Sequence, residues 1–113
     1  MDLFVSIHCN ASRLHNARGF ESYCYCIDSE AGKAAFFIQQ EIYKGVRPFA
    51  PGFWDRGVKM YRNFAVLRDT RMPAVLVETG FIDNEADVKL LTEHSEDFAA
   101  AIARGVTDWG QCG

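Results

Sequence analysis

Apolar and polar positions along this chain switch between two periods, and the switches mark the elements. Leu3, Phe4, Val5 and Ile7 crowd into the stretch from Asp2 to His8, which predicts a buried strand. Small and polar residues from Asn10 to Gly19 predict a loop. "FESYCYCI", from Phe20 to Ile27, is rich in aromatic residues and predicts a second strand. The period then lengthens. Ala31, Ala34, Ala35, Ile38 and Ile42 recur at helical spacing up to about Lys44, behind Ser29 as an N-cap. Glu41 and Lys44 add an i, i+3 pair on that helix. Gly45 to Gly57, with Pro48, Pro51 and Gly52, is expected to be irregular, and Phe64 to Leu67 to form a short strand. "AVLVE", ending on Glu78, is almost wholly apolar, the pattern of a central strand covered on both faces. Asn84 caps a further predicted helix, with Asp87 near its positive end. Phe98, Ala101, Ile102, Gly105, Val106 and Trp109 line one face of a last helix, behind Ser95 as a cap.

Strands alternating with helices predict an α/β fold: a twisted, mostly parallel sheet flanked by helices. In such sheets ligands bind outside the carboxyl ends of strands. His8 ends one predicted strand and Glu78 another, so two strands deliver an ionisable group to one edge. Thr79-Gly80 reads as a sharp turn that aims Glu78 into a cleft. A length of 113 residues suits a single domain spanning 1–113 with a core of its own. The net charge of -3 offers no basic surface for nucleic acid. No apolar run approaches the ~20 residues of a membrane helix. The first residues lack the basic region of a signal peptide. The chain opens inside a strand, as expected for the later part of a larger, here incomplete, domain.

The chemistry open to His8 and Glu78 is specific. A neutral imidazole on a rigid strand is a good zinc ligand. A carboxylate across the same gap can serve as a general base toward a water and return the proton to a leaving amine. On spacing alone, both residues also read as ordinary polar strand ends. Asn10 suits site orientation or substrate contact, and equally a turn. Glu21 either faces the cleft or points outward. Phe53 and Trp54 either wall a binding site or pack the irregular segment. Cys9, Cys24, Cys26 and Cys112 read as free, mostly buried thiols, with no base placed to activate Cys9. His15 is a loop residue beside His8, and His94 reads as a surface residue that complements a helix end.

Three stretches carry a resemblance. "DLFVSIHCNAS", "GFESYCY" and "RGVKMYRNFAVLRDTRMPAVLVETGFIDNEADVKLL" resemble the zinc-dependent N-acetylmuramoyl-L-alanine amidases of the amidase-3 type, bacterial and phage enzymes that cut peptidoglycan. The resemblance runs from Asp2 to about Leu91. It implies Zn2+ as cofactor, His8 as a zinc ligand, Glu78 as the catalytic glutamate and peptidoglycan as partner. The implied reaction is hydrolysis of the amide between N-acetylmuramic acid and L-alanine, in an extracellular, periplasmic or cell-wall setting. Stem peptides are acidic, so Arg71 and its neighbour Arg68 become candidates for substrate carboxylates, Arg71 first. The family's two other zinc ligands, a histidine and a glutamate, precede the SIHxNA strand. This chain therefore resembles the carboxyl-terminal portion of such a catalytic domain. The competing expectation is a truncated, non-catalytic copy that only binds cell wall. Self-association through an exposed sheet edge is expected in either case.

Overall fold

The computed structural model describes residues 2–112. Four strands form one sheet in the order β1-β4-β2-β3: β1 is Phe4–Asn10, β2 Phe20–Cys24, β3 Asp55–Met60 and β4 Ala74–Phe81. β1 runs parallel to β4, and β2 parallel to β3, while β2 and β4 are antiparallel. The helices are α1 (Glu30–Gly45), α2 (Ala65–Arg68), α3 (Glu85–Glu93) and α4 (Ser95–Gln111).

β4 is the central strand its sequence predicts, with all eight residues buried. Its alternate side chains serve two clusters. Val75 and Val77 join Phe20, Ile38, Ile42, Phe98, Ala101 and Trp109 in the main core under α1 and α4. Ala74 and Leu76 face the other way, onto Leu67 with Tyr23, Phe64 and Val66. α1 and α4 approach closely because residue 105 is glycine: a Cβ there would lie 2.6 Å from the Ile38 Cα. Caps start two helices as expected. Ser29 accepts from the Gly32 N–H, and Asn84 from the Asp87 N–H.

Several expectations are corrected. β1 is an edge strand and not buried, with Phe4 41% and Ile7 58% exposed. Thr79-Gly80 is not a turn, because β4 continues through Phe81. Phe64–Leu67 is not a strand but the start of the helical turn α2, since a four-residue apolar run fits either period. The fourth strand lies at Asp55–Met60 instead, partly within the segment expected to be irregular. β2 stops at Cys24, short of Ile27, so Cys26 lies outside the strand. Ser95 is not the cap of α4. His94 both closes α3, donating its N–H to Leu90, and opens α4, accepting from Phe98, which leaves Ser95 inside the helix. The cysteines are not mostly buried either: Cys24 is, but Cys9 and Cys112 are exposed.

Candidate active site on the β1-β4-β2 face

Three ionisable residues form a row across three adjacent strands. His8 on β1 is the register partner of Glu78 on β4, and Glu78 is in turn the partner of Glu21 on β2. Directly paired residues point to the same face of a sheet, with Cβ atoms about 5 Å apart. His8 and Glu78 thus stand side by side on the face that carries Leu76. Further back along β1 on that face, the Ser6 Oγ lies 2.8 Å from the His8 Nε2. That contact leaves the Nδ1 of an exposed imidazole available to a ligand.

The two glutamates are both buried, Glu21 at 2% exposure and Glu78 at 8%, yet their surroundings differ. Glu21 receives the Arg56 Nε at 2.6 Å, the Lys59 Nζ at 3.3 Å and the Tyr23 hydroxyl. Burial pushes its pKa up, but these hydrogen bonds and charges outweigh burial and hold Glu21 below the ordinary carboxylate range. Glu78 has no such partners. Its Oε2 is buried and accepts no hydrogen bond from any described residue. Burial raises its pKa, the nearby His8 offsets part of this, and the charge of Glu21 adds to the rise. A buried carboxylate oxygen without a partner is costly, and such groups concentrate at functional sites. The row is therefore an ion-paired glutamate beside a glutamate poised to take a proton, with an imidazole on its open side.

Zinc is the metal the resemblance implies, and the described residues fit it only in part. They contain no group of three or more His, Cys, Asp or Glu side chains able to hold a metal ion. A catalytic zinc usually has three protein ligands and a water. His8 offers one position and Glu78 a neighbouring base, so residues 2–112 do not complete a zinc site by themselves.

The other candidates divide clearly. Asn10 lies at the end of β1, where its Oδ1 accepts from the Ala11 N–H at 2.9 Å, a local turn contact. Arg71 is exposed and precedes Ala74, so it lies beyond the amino end of β4, away from Glu78 near the other end. Arg68 pairs with Asp69. Phe53 is core, stacked on Phe20 with ring centroids 5.0 Å apart, while Trp54 is exposed. His15 turns away from His8 to Asp83, its Nδ1 2.8 Å from the carboxylate. His94 stacks on Phe49 and pairs with Asp97.

Two groups escaped the sequence reading. One is the set around Glu21: Tyr23, Arg56 and Lys59. The other is Asp87, fully buried, which accepts from the Gly19 N–H at 2.8 Å, the Phe81 N–H at 3.0 Å and the Arg18 Nε at 3.2 Å. With Asp83 holding Ser12 and His15, Asp87 ties both ends of the loop after β1 to the segment after β4. The available signal was Asp87 itself, an acid at the third position of a capped helix, where a helix-end role was expected.

The sequence profile of the amidase-3 family, described as N-acetylmuramoyl-L-alanine amidase, matches residues 1–108. The chain belongs to that family. Within it, the chain is 42% identical over 105 residues to the N-acetylmuramoyl-L-alanine amidase CwlM of Bacillus licheniformis, covering 92% of this chain and 37% of the relative. It is 39% identical over 112 residues to an endolysin of Bacillus phage SPP1, covering 95% of this chain and 40% of the relative. The fold superposes on the CwlD amidase from Clostridioides difficile, solved in complex with the GerS lipoprotein, with a TM-score of 0.87 and 30% identity, covering 98% of this chain and 55% of that one. The chain thus spans about two fifths of the length of these curated relatives.

Proposed function

We propose that this amidase-family chain takes part in zinc-dependent hydrolysis of the amide between N-acetylmuramic acid and L-alanine in peptidoglycan, on the wall side of the cell envelope. The observation that carries this reading is the pairing of His8 with Glu78, whose buried Oε2 accepts no hydrogen bond from any described residue. In the proposed reaction Glu78 takes a proton from the attacking water, the water oxygen bonds to the lactyl carbonyl carbon, and the carbon–nitrogen bond breaks. Glu78 then gives the proton to the departing L-alanine nitrogen. Zinc, when bound, would polarise the carbonyl and make the water more acidic. His8 would be one of the residues to hold the metal, and the further ligands a catalytic zinc needs would have to come from outside the described residues.

The test is release of stem peptides with a free L-alanine amino group from purified sacculi, using the protein encoded by the whole reading frame. Cleavage should require zinc. Glu78→Gln should keep the metal and slow cleavage by roughly 10²–10⁴-fold, the range for loss of a general base. Zinc-independent cleavage, or an unimpaired Glu78→Gln enzyme, would remove this mechanism. Binding to sacculi without any release would favour the non-catalytic reading.

A further inference from the structure

β3 contains a bulge that brings two cations to the site. Between the register pairs Phe20↔Asp55 and Ser22↔Val58, two steps along β2 correspond to three along β3. The extra residue falls at Arg56-Gly57, where Gly57 takes φ +83 in the left-handed region. A Cβ at Gly57 would meet nothing within 4 Å, so it is the backbone conformation that calls for glycine there. In a regular strand, residues three apart face opposite sides of the sheet. The bulge cancels that alternation, and Arg56 and Lys59 both reach Glu21. Asp55 and Val58 stay on the opposite face, with Gln39 of α1 and the main core.

One cation is enough to neutralise Glu21. Two exceed the charge of Glu21 by one, an excess that the neighbouring Glu78 carboxylate balances across the face when it is ionised. The anion lies underneath, its side chain 3% exposed, while those of Arg56 and Lys59 are 36% and 41% exposed. Arg56 spends its Nε on Glu21 and lies over the Phe81 ring at 5.0 Å, a geometry that fixes the guanidinium plane. Its terminal nitrogens and two of the three Lys59 ammonium protons remain for a further acceptor.

We propose that Arg56 and Lys59 form a carboxylate-binding subsite beside Glu78 that engages the acidic stem peptide. The proposal rests on the amidase reading for its choice of ligand. It transfers the role first considered for Arg71 to a pair that the bulge delivers to the site.

Direct binding tests it without requiring cleavage. The probes are an L-alanyl peptide with a free glutamate carboxylate and the same peptide with that carboxyl amidated, each titrated into the 15N-labelled protein. The acid should bind roughly fivefold tighter than the amide, the size expected of a partly exposed ion pair. Shifts should centre on Arg56, Gly57 and Lys59, and the preference should shrink as salt rises. Lys59→Met should abolish the preference and Lys59→Arg should keep it. If Lys59→Met fails to melt cooperatively, Arg56→Lys, which keeps the charge but loses the fork, provides the second reading and should weaken the preference. Equal affinity for acid and amide, no binding of either, or a preference that survives Lys59→Met would overturn the subsite. Failed cleavage of sacculi with the preference intact would sink the amidase reading alone.

Discussion

The two faces of β4 are built from one strand and do opposite work. Val75 and Val77 look into a core closed by α1 and α4, where Ile38, Ile42 and Ala101 are wholly buried. Two residues of the same run, Leu76 and Glu78, look the other way, toward a thinner apolar cluster and a row of charges. The helix-covered face gains stability from apolar burial. The other face gives some of it up, holding a carboxylate oxygen that is buried and unpaired. Alternation along a single strand thus keeps a packed core and an unpaired buried carboxylate a few ångströms apart without a separate element for each.

That contrast can be broken at graded cost. Ile38→Ala, on the covered face, should lower unfolding free energy by about 3 kcal/mol in a denaturant melt, through lost burial and a cavity. A loss below about 1 kcal/mol would mean that this face is looser than its packing. Glu21→Gln should cost about 2 kcal/mol at neutral pH, because it removes a charged acceptor from three donors. The pH dependence of that loss follows from the sign of the shift. Glu21 has a lower pKa folded than unfolded, so its contribution is complete above the ordinary value of 4.5 and is lost as pH falls through the lower folded value. Melts of the native chain and Glu21→Gln should therefore converge in acid and diverge above that range.

Glu78→Gln should move stability in the opposite direction. It removes a charge that burial disfavours, so metal-free protein should gain about 1 kcal/mol at neutral pH. A raised folded pKa means the native penalty appears as pH climbs past 4.5, so the gain should vanish in acid. Loss of stability in Glu78→Gln would show that the carboxylate is a structural partner. The smallest effect is expected at β1. Ile7→Lys, at an exposed edge position, should change stability by less than about 0.5 kcal/mol. A loss above about 1 kcal/mol in the same denaturant melt would mean that Ile7 packs more tightly than its exposure indicates.

Much of the fold was legible because its signals are local. Apolar runs and spacings, with Ser29 and Asn84 as caps, mark β1, β2, β4, α1, α3 and α4 within a few residues, since helix and strand periods are written into neighbouring positions. The alternation of strands and helices likewise indicated a mostly parallel sheet, but His8 and Glu78, expected to end their strands, lie inside β1 and β4, which continue to Asn10 and Phe81. β3 was illegible because a bulge destroys the period of two that reveals a strand. Only tertiary structure decided that Glu21, 57 positions before Glu78, stands beside it, that Arg56 and Lys59 converge there, and that β1 lies at the edge. Those outcomes depend on strand order and register. Both follow from the free energy of the whole packed sheet, which no single window of sequence contains.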